Sequence, residues 1–234
     1  AAHTYHRLSY DSLQASDIHN VSVLLDASGG WKEFDWQAEG MLMVFGSNIW
    51  DMRIDGSLGY NIKRSRLQGS VQYSLYHPDQ ILTDYSNHFR WSNNWAQTSH
   101  LRTEVRYTQE RLRFRGSVQY HVFDKLVVYG SDRMPYQSQT PNQLIVAKAR
   151  EHFIMRWFHI IAEGAFQWKL SGDEIRVPMV SARGQFFYQN DIFKRRLRLQ
   201  IGVEANYWTA YYANAYNPAL SGFHLQNDKK VGNY

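Results

Sequence analysis

The sequence has no cysteine and no long apolar run, and each absence excludes a class of protein. Without thiols, the chain has no disulfide framework, no thiolate metal site and no cysteine nucleophile. A membrane-spanning helix needs about 20 mostly apolar residues, whereas the longest apolar run here is 41–45. The first residues carry no basic-then-apolar secretion signal. We therefore expect either that a signal was removed or that the chain begins inside a longer protein.

Aromatic residues, by contrast, are abundant in a chain that is polar on average. They make up 15% of the sequence, while the mean hydropathy is −0.54. A membrane β-barrel needs both properties, because one face of each strand meets lipid and the other meets water. The net charge of +5 is compatible with nucleic acid, anionic lipid or an anion-attracting pore. The placement of the charges along the strands has to decide between them.

The clearest strand pattern covers residues 50–62. Apolar residues and glycine occupy one set of alternate positions, and polar residues occupy the other. Strand side chains alternate between faces, so the pattern predicts a strand with one apolar and one hydrated face. Its length suits a membrane-crossing strand of about 9–11 residues, and ordinary strands have about 5–6.

The same alternation recurs along the chain. It is strong over residues 34–44, 67–75, 101–107, 112–122, 158–168 and 197–207. Weaker candidates lie near 21–28, 88–96, 126–130, 143–150 and 177–189. With no linker or composition break, we predict a single domain over 1–234. Its fold class is all-β: an antiparallel up-and-down transmembrane barrel of the outer-membrane type, with about 12 strands in this chain.

The alternation predicts the register of three hairpins. A turn at 63–64 pairs Tyr60 with Leu67, and apolar residues then face apolar residues along the whole hairpin. A turn at 109–110 predicts that Val105 pairs with Phe114. A turn at 191–192 predicts that Phe186 pairs with Leu197. A slip of one residue would place charges on the apolar face.

The connections alternate in length. Short turns near 63–64, 97–98, 123–125 and 191–192 are predicted at one rim, which we assign to the periplasm. The longer segments 77–86 and 131–142 contain Pro78, Pro135 and Pro141 and are predicted at the opposite rim.

Alternation alone is equally consistent with a soluble β-sandwich. Strand length and mid-strand charges favour the membrane barrel, as do bulky aromatic side chains near strand ends. The predicted lipid-facing aromatic girdle consists of Trp36, Trp50, Tyr60, Tyr73, Tyr107, Tyr120, Trp168 and Tyr207.

The polar positions predict a charged pore lining. It consists of Arg53, Arg102, Glu104, Arg106, Arg113, Arg115, His121, Glu163, Arg198 and Glu204. Rings of Arg and Lys bias a pore toward anions. Alternatively, inward carboxylates such as Asp51, Asp55 and Glu39 balance the arginines, and the lumen has no strong preference. The sequence is consistent with both an anion-selective lumen and a balanced one.

The sequence gives little support for a catalytic site, a metal site or nucleic-acid binding. His121 and His159 lie mid-strand, but no ligand motif accompanies them, so we expect no metal and no cofactor. Ser117 and His121 share a face without an identifiable acidic third member, which argues against a hydrolase. The basic runs 63–64 and 194–196 fall at predicted turns, which argues against nucleic acid.

The C-terminal part carries a family resemblance. The run Tyr-Asn-Pro-Ala at 216–219, the spacing of Phe223 and Gln226, the ending at 231–234 and the run Gln-Ile-Gly-Val at 200–203 resemble the Putative porin family of Bacteroidota outer membranes. The resemblance is specific over residues 143–234. It implies an outer-membrane barrel and transport without naming a solute. Family members are longer, so we expect a fragment that is incomplete at both ends.

Together these patterns predict an integral porin-like channel of the Gram-negative outer membrane, for passive diffusion of small polar solutes. We expect it not to be an enzyme. Its predicted partners are outer-membrane lipid and lipopolysaccharide, the solutes, and other outer-membrane proteins or lipoproteins. The alternative is a non-conducting barrel that serves as a scaffold or receptor in an outer-membrane complex.

Overall fold

The computed structural model describes residues 2–9, 15–86, 89–194 and 196–233, and it describes side chains from residue 20 onward. Three positions used in the sequence analysis lie outside the described residues: His88, Arg195 and Tyr234.

Nearly all regular structure is β. The elements in chain order are β1 Ala2–Ser9, β2 Ala15–Trp31, β3 Phe34–Gly46, β4 Met52–Ile62, β5 Ser65–Tyr76, α1 Gln80–Thr83, β6 Asp84–Ser86, β7 Arg90–Ser92, β8 Thr98–Gln109, β9 Phe114–Asp124, β10 Val127–Tyr129, β11 Pro135–Gln137, β12 Asn142–Met155, β13 Phe158–Ser171, β14 Val180–Ile192, β15 Leu197–Trp208, β16 Ala215–Asn217 and β17 Gly222–His224. In the described ranges no helix has the length and apolar character needed to cross a membrane, a result that concerns helices only.

One large antiparallel sheet contains the eleven long strands. Its order is β1-β2-β3-β4-β5-β8-β9-β12-β13-β14-β15, so neighbours along the chain are neighbours in the sheet apart from the short strands of the connections. The predicted all-β antiparallel architecture is confirmed. Within the described residues the sheet is open, with β1 and β15 as its edges. We call this sheet the wall.

The predicted register of the β4–β5 hairpin is confirmed. Tyr60 pairs with Leu67, and the pairing continues without a bulge to Met52 and Leu75. The two-residue turn at 63–64 begins with Lys63 at φ 52°. This conformation joins the two strands directly, so counting outward from the turn gives the correct partners.

The other two predicted registers are wrong. Val105 pairs with Val118 rather than Phe114, and Phe186 pairs with Val203 rather than Leu197. The connections are four residues long, at 110–113 and 193–196, and not two as predicted. The errors are shifts by an even number of residues. Because alternation has a period of two, such shifts keep each residue on its predicted face.

The rim assignment is also partly wrong. The short turns 32–33, 63–64, 110–113, 156–157 and 193–196 share one rim. Residues 97–98 and 123–125, predicted at that rim, lie at the opposite one, because β8 begins at Thr98 and β9 ends at Asp124. The strand candidates near 88–96 and 126–130 contribute only β7 and β10, which lie in the long connections.

Some predicted strand residues lie in turns. Trp50 belongs to the turn after β3 and has φ 72°, and Leu112 belongs to the turn after β8. Arg113 lies in that same turn with φ 53°. It was predicted to lie mid-strand on the pore lining, and this position is corrected to the short-turn rim.

A buried hydrophobic cluster lies in the long connections, outside the wall. Tyr85, Trp91, Tyr129 and Leu220 are each less than a tenth exposed and form one cluster. The connections also form two small sheets, β11-β10-β17-β16 and β6-β7. The Tyr85 hydroxyl donates to the Ala219 carbonyl at 2.9 Å, which links connections 134 residues apart in sequence. We call this assembly of connections the cap.

Candidate functional site

One face of the wall exposes large apolar side chains. Leu58 is 56% exposed, Val105 57% and Val203 72%, although each lies mid-strand. A sheet of a soluble protein would bury such a face against a second layer. In the described residues no layer packs against it. The described residues therefore leave this apolar face exposed.

The aromatic residues predicted as a girdle lie toward both ends of the apolar face. Trp36, Tyr60 and Tyr107 are each within three residues of a short turn. Tyr73, Tyr120, Trp168 and Tyr207 lie toward the long connections, and Trp50 lies beyond the strand in a turn. Between the two groups the same face carries small residues, including Gly56, Gly69, Gly116, Gly164 and Gly184.

The opposite face is charged and highly hydrogen-bonded. Glu104 lies mid-strand on β8 and its side chain is only 5% exposed. Arg102 donates to it at 2.7 Å and Arg106 at 2.9 Å, each two residues away on the same face. The register also places Gln119 directly opposite Glu104 on β9. The arrangement compensates a carboxylate that is otherwise removed from water.

Further ion pairs cross between strands of this polar face. Arg150 on β12 contacts Glu163 on β13 at 2.9 Å, and Arg183 on β14 contacts Glu204 on β15 at 2.7 Å. Near the short turns, Arg198 contacts Asp191 at 2.9 Å. On the first strands, Arg66 on β5 contacts Asp35 on β3 at 2.5 Å, and Arg53 contacts Asp55 within β4 at 2.6 Å.

Two cationic side chains differ from the other described cations on the polar face of the wall strands. Arg115 on β9 and Lys148 on β12 have no carboxylate partner among the side chains that the structure describes. Both line a depression of about 620 Å³ in the polar face, between β8 and β15. Sequence reasoning included Arg115 in the lining but missed Lys148.

Four of the ten histidines form two pairs that sequence spacing did not reveal. His100 Nε2 and His121 Nδ1 are 3.1 Å apart, and His152 Nε2 and His159 Nδ1 are 3.0 Å apart. Within the described ranges no group of three metal-binding side chains forms. The second ring nitrogen of His121 lies 3.3 Å from Gln119. Both of its nitrogens therefore have partners other than Ser117.

Asp51 anchors the cap to the wall. The alternation pattern predicts it on the polar face of a strand, but it lies just before β4 and is 7% exposed. It accepts hydrogen bonds from the His77 backbone at 2.8 Å and from the Gln97 side chain at 3.0 Å. Asn48 donates to its other oxygen at 3.1 Å. One carboxylate thus holds both ends of the 77–97 connection.

A second polar contact joins two connections within the cap. The Tyr136 hydroxyl donates to Glu174 at 3.4 Å, linking the connection after β9 to the one after β13. Burial, together with the negative charge of Glu174, raises the pKa of Tyr136 above its ordinary value. The phenol therefore stays protonated and can donate at neutral pH.

These features define a class: an antiparallel β wall with an exposed apolar face, a charged polar face and a folded cap on one rim. The chain belongs to the family described as Putative porin, whose model matches residues 5–234. The match extends well beyond the residues 143–234 that carried the sequence resemblance. No curated protein matches the sequence. Membership of a porin family indicates a channel or structural protein and an outer-membrane location.

Proposed function

We propose that the wall forms an outer-membrane β-barrel in the full-length protein, with its apolar face against lipid and lipopolysaccharide. The supporting observation is the inverted burial pattern. Leu58, Val105 and Val203 are more than half exposed, whereas Glu104 is almost fully buried. A bilayer covers an apolar outer face and requires a closed sheet without unpaired strand edges. The strands from β3 to β15 in the wall have 11–14 residues, enough to cross the hydrocarbon layer.

The polar face then lines a hydrated lumen, and the function that fits best is passive diffusion of small polar solutes. Charged and amide side chains follow one another across the wall from Glu39 on β3 to Glu204 on β15. Water and polar solutes can exchange hydrogen bonds with such a surface. The predicted pore residues Arg53, Arg102, Glu104, Arg106, Arg115, His121, Glu163, Arg198 and Glu204 occupy this polar face by strand parity.

Conductance tests this proposal. The full-length protein, folded into detergent and shown to be heat-modifiable, is inserted into a planar bilayer. Stepwise increases in current are the expected result, because each inserted barrel adds one water-filled path. A folded, inserted protein that gives no steps would contradict the channel.

The cap supports a second candidate, a barrel that serves as a scaffold. Its buried cluster of Tyr85, Trp91, Tyr129 and Leu220 makes the connections a folded unit. A folded unit at the rim could close the lumen or present a surface to another outer-membrane protein. This candidate would be favoured if the intact protein gave no current steps in the bilayer and a variant lacking 125–141 did give them.

A further inference from the structure

The charges of the polar face are distributed unevenly along the wall. The depression between β8 and β15 is lined by six cationic side chains and only two carboxylates, Glu104 and Glu163. A second depression of about 280 Å³, between β3 and β8, is lined by three cations and three carboxylates. The first strands are therefore balanced, and the excess positive charge is concentrated on the later ones.

The ion pairs identify which cations account for this excess. Arg150 is paired with Glu163 and Arg183 with Glu204, and Arg102 and Arg106 share Glu104. Arg115 and Lys148 are left without a carboxylate among the described side chains. Their charges are available to a solute instead of being neutralised by the wall.

The register places these two cations side by side. Lys148 lies directly opposite Ser117, so it is diagonal to Arg115 on the adjacent strand. Arg115 lies directly opposite Arg150, although like charges at such a position are destabilising. An anion between the two strands would relieve this repulsion. The Ser117 and Ser181 side chains line the same depression and supply hydroxyl donors.

We propose that Arg115 and Lys148 form a binding step for small oxyanionic solutes, that is, solutes with a carboxylate or phosphate group. This inference rests on the proposed channel and names its substrate class. The planar Arg115 guanidinium matches two oxygens of such a group, and the Lys148 ammonium contributes a compact charge. The serine hydroxyls complete the donor set. The balanced depression on β3–β8 offers no comparable site.

Inorganic phosphate is the probe. Chloride current through the full-length protein is measured in planar bilayers while phosphate is added, and the half-blocking concentration is determined. In the double variant Arg115→Gln/Lys148→Gln this concentration is expected to rise about tenfold, because two unit charges at contact distance are removed from a hydrated site. The variant Arg115→Lys/Lys148→Arg keeps both charges and is expected to retain block.

The matched control is Arg53→Gln/Arg66→Gln, which removes the same number of charges from the balanced side. It should leave the half-blocking concentration within about twofold of the original, because neither side chain lines the first depression. Equal weakening by both double variants would assign the effect to overall lumen charge and overturn the site. Conductance without phosphate block would also overturn it, while leaving the channel intact. Absence of conductance would instead contradict the proposed function. If the double variant fails to fold, Lys148→Gln alone replaces it.

Discussion

At the scale of single residues, Glu104 is the most constrained charge of the wall. Its side chain is 5% exposed, and two arginines hold its two oxygens. A buried carboxylate is tolerated only when its charge and its lone pairs are satisfied. The arginines remain a third or more exposed, so the cluster joins a desolvated anion to hydrated cations.

Glu104→Gln is expected to destabilise the folded protein. The substitution leaves Arg102 and Arg106 facing each other without a shared anion, and we expect a loss of about 2–3 kcal/mol in the free energy of unfolding. Urea unfolding in lipid vesicles, followed by tryptophan fluorescence, measures it. Glu204→Gln is the control, because that carboxylate is exposed to water, and its effect should be much smaller. Equal effects would argue against the importance of burial.

At the scale of elements, the two-residue turns carry a recurring strain. Lys32, Lys63 and Arg156 occupy the first position of the turns 32–33, 63–64 and 156–157, with φ between 52° and 57°. This left-handed region is unfavourable for residues with a Cβ and open to glycine. Basic side chains thus occupy positions where backbone conformation alone would favour glycine.

Lys32→Gly/Lys63→Gly is expected to stabilise the folded protein. Relief of two left-handed conformations should exceed the added entropy of the unfolded chain, for a net gain of about 1 kcal/mol. The denaturant midpoint in vesicles measures the gain. The pair Glu33→Gly/Arg64→Gly, at the second turn position, lacks positive φ and should instead lower the midpoint. A lower midpoint for both pairs would show that the turns are not strained.

The two faces of β5 are expected to respond differently to the same substitution. Val71 and Ser70 are neighbours at the middle of β5, but Val71 lies on the apolar face and is 51% exposed. Val71→Arg should cost about 2–4 kcal/mol if that face meets lipid. Ser70→Arg places the same charge on the polar face and should cost far less. Urea unfolding in vesicles compares the two, and similar costs would contradict the assignment of the lipid face.

At the scale of the whole molecule, wall and cap are stabilised in different ways. Hydrogen-bonded strand pairs hold the wall, whereas the cap has a hydrophobic core like that of a small soluble domain. Asp51 connects them through the 77–97 connection. Loosening the cap should therefore leave the wall folded.

Trp91→Ala tests this separation. The ring of Trp91 is buried and stacks on Tyr85 with 4.8 Å between the ring centroids. Its removal should lower the free energy of unfolding of the cap by about 3–5 kcal/mol. Limited proteolysis is expected to cut the long connections of this variant sooner, while its heat-modifiability on gels stays unchanged. Phe223→Ala is the control, since that ring is 63% exposed. Loss of heat-modifiability in Trp91→Ala would show instead that wall and cap fold as one unit.

The sequence alone located the wall strands from β2 to β15, their two faces and the register of one hairpin. Alternation with a period of two places Val105 and Arg106 on opposite faces whatever the pairing. That is why even-residue errors in register left the predicted faces intact. The β4–β5 register also follows from the sequence, because a two-residue turn fixes which residues of the two strands pair.

Only the tertiary structure decided the lengths of the other turns, the rim on which each connection lies, the core of the cap and the pairing of charges. Turn conformations such as Arg113 at φ 53° have no signature in apolar alternation. Asp51 contacts His77 and Gln97, which are 26 or more residues away in sequence. Whether Lys148 has a carboxylate beside it depends on the residues of neighbouring strands, and among the described side chains it has none. Local patterns cannot specify such partners, because they are set by which strands lie side by side and in which register.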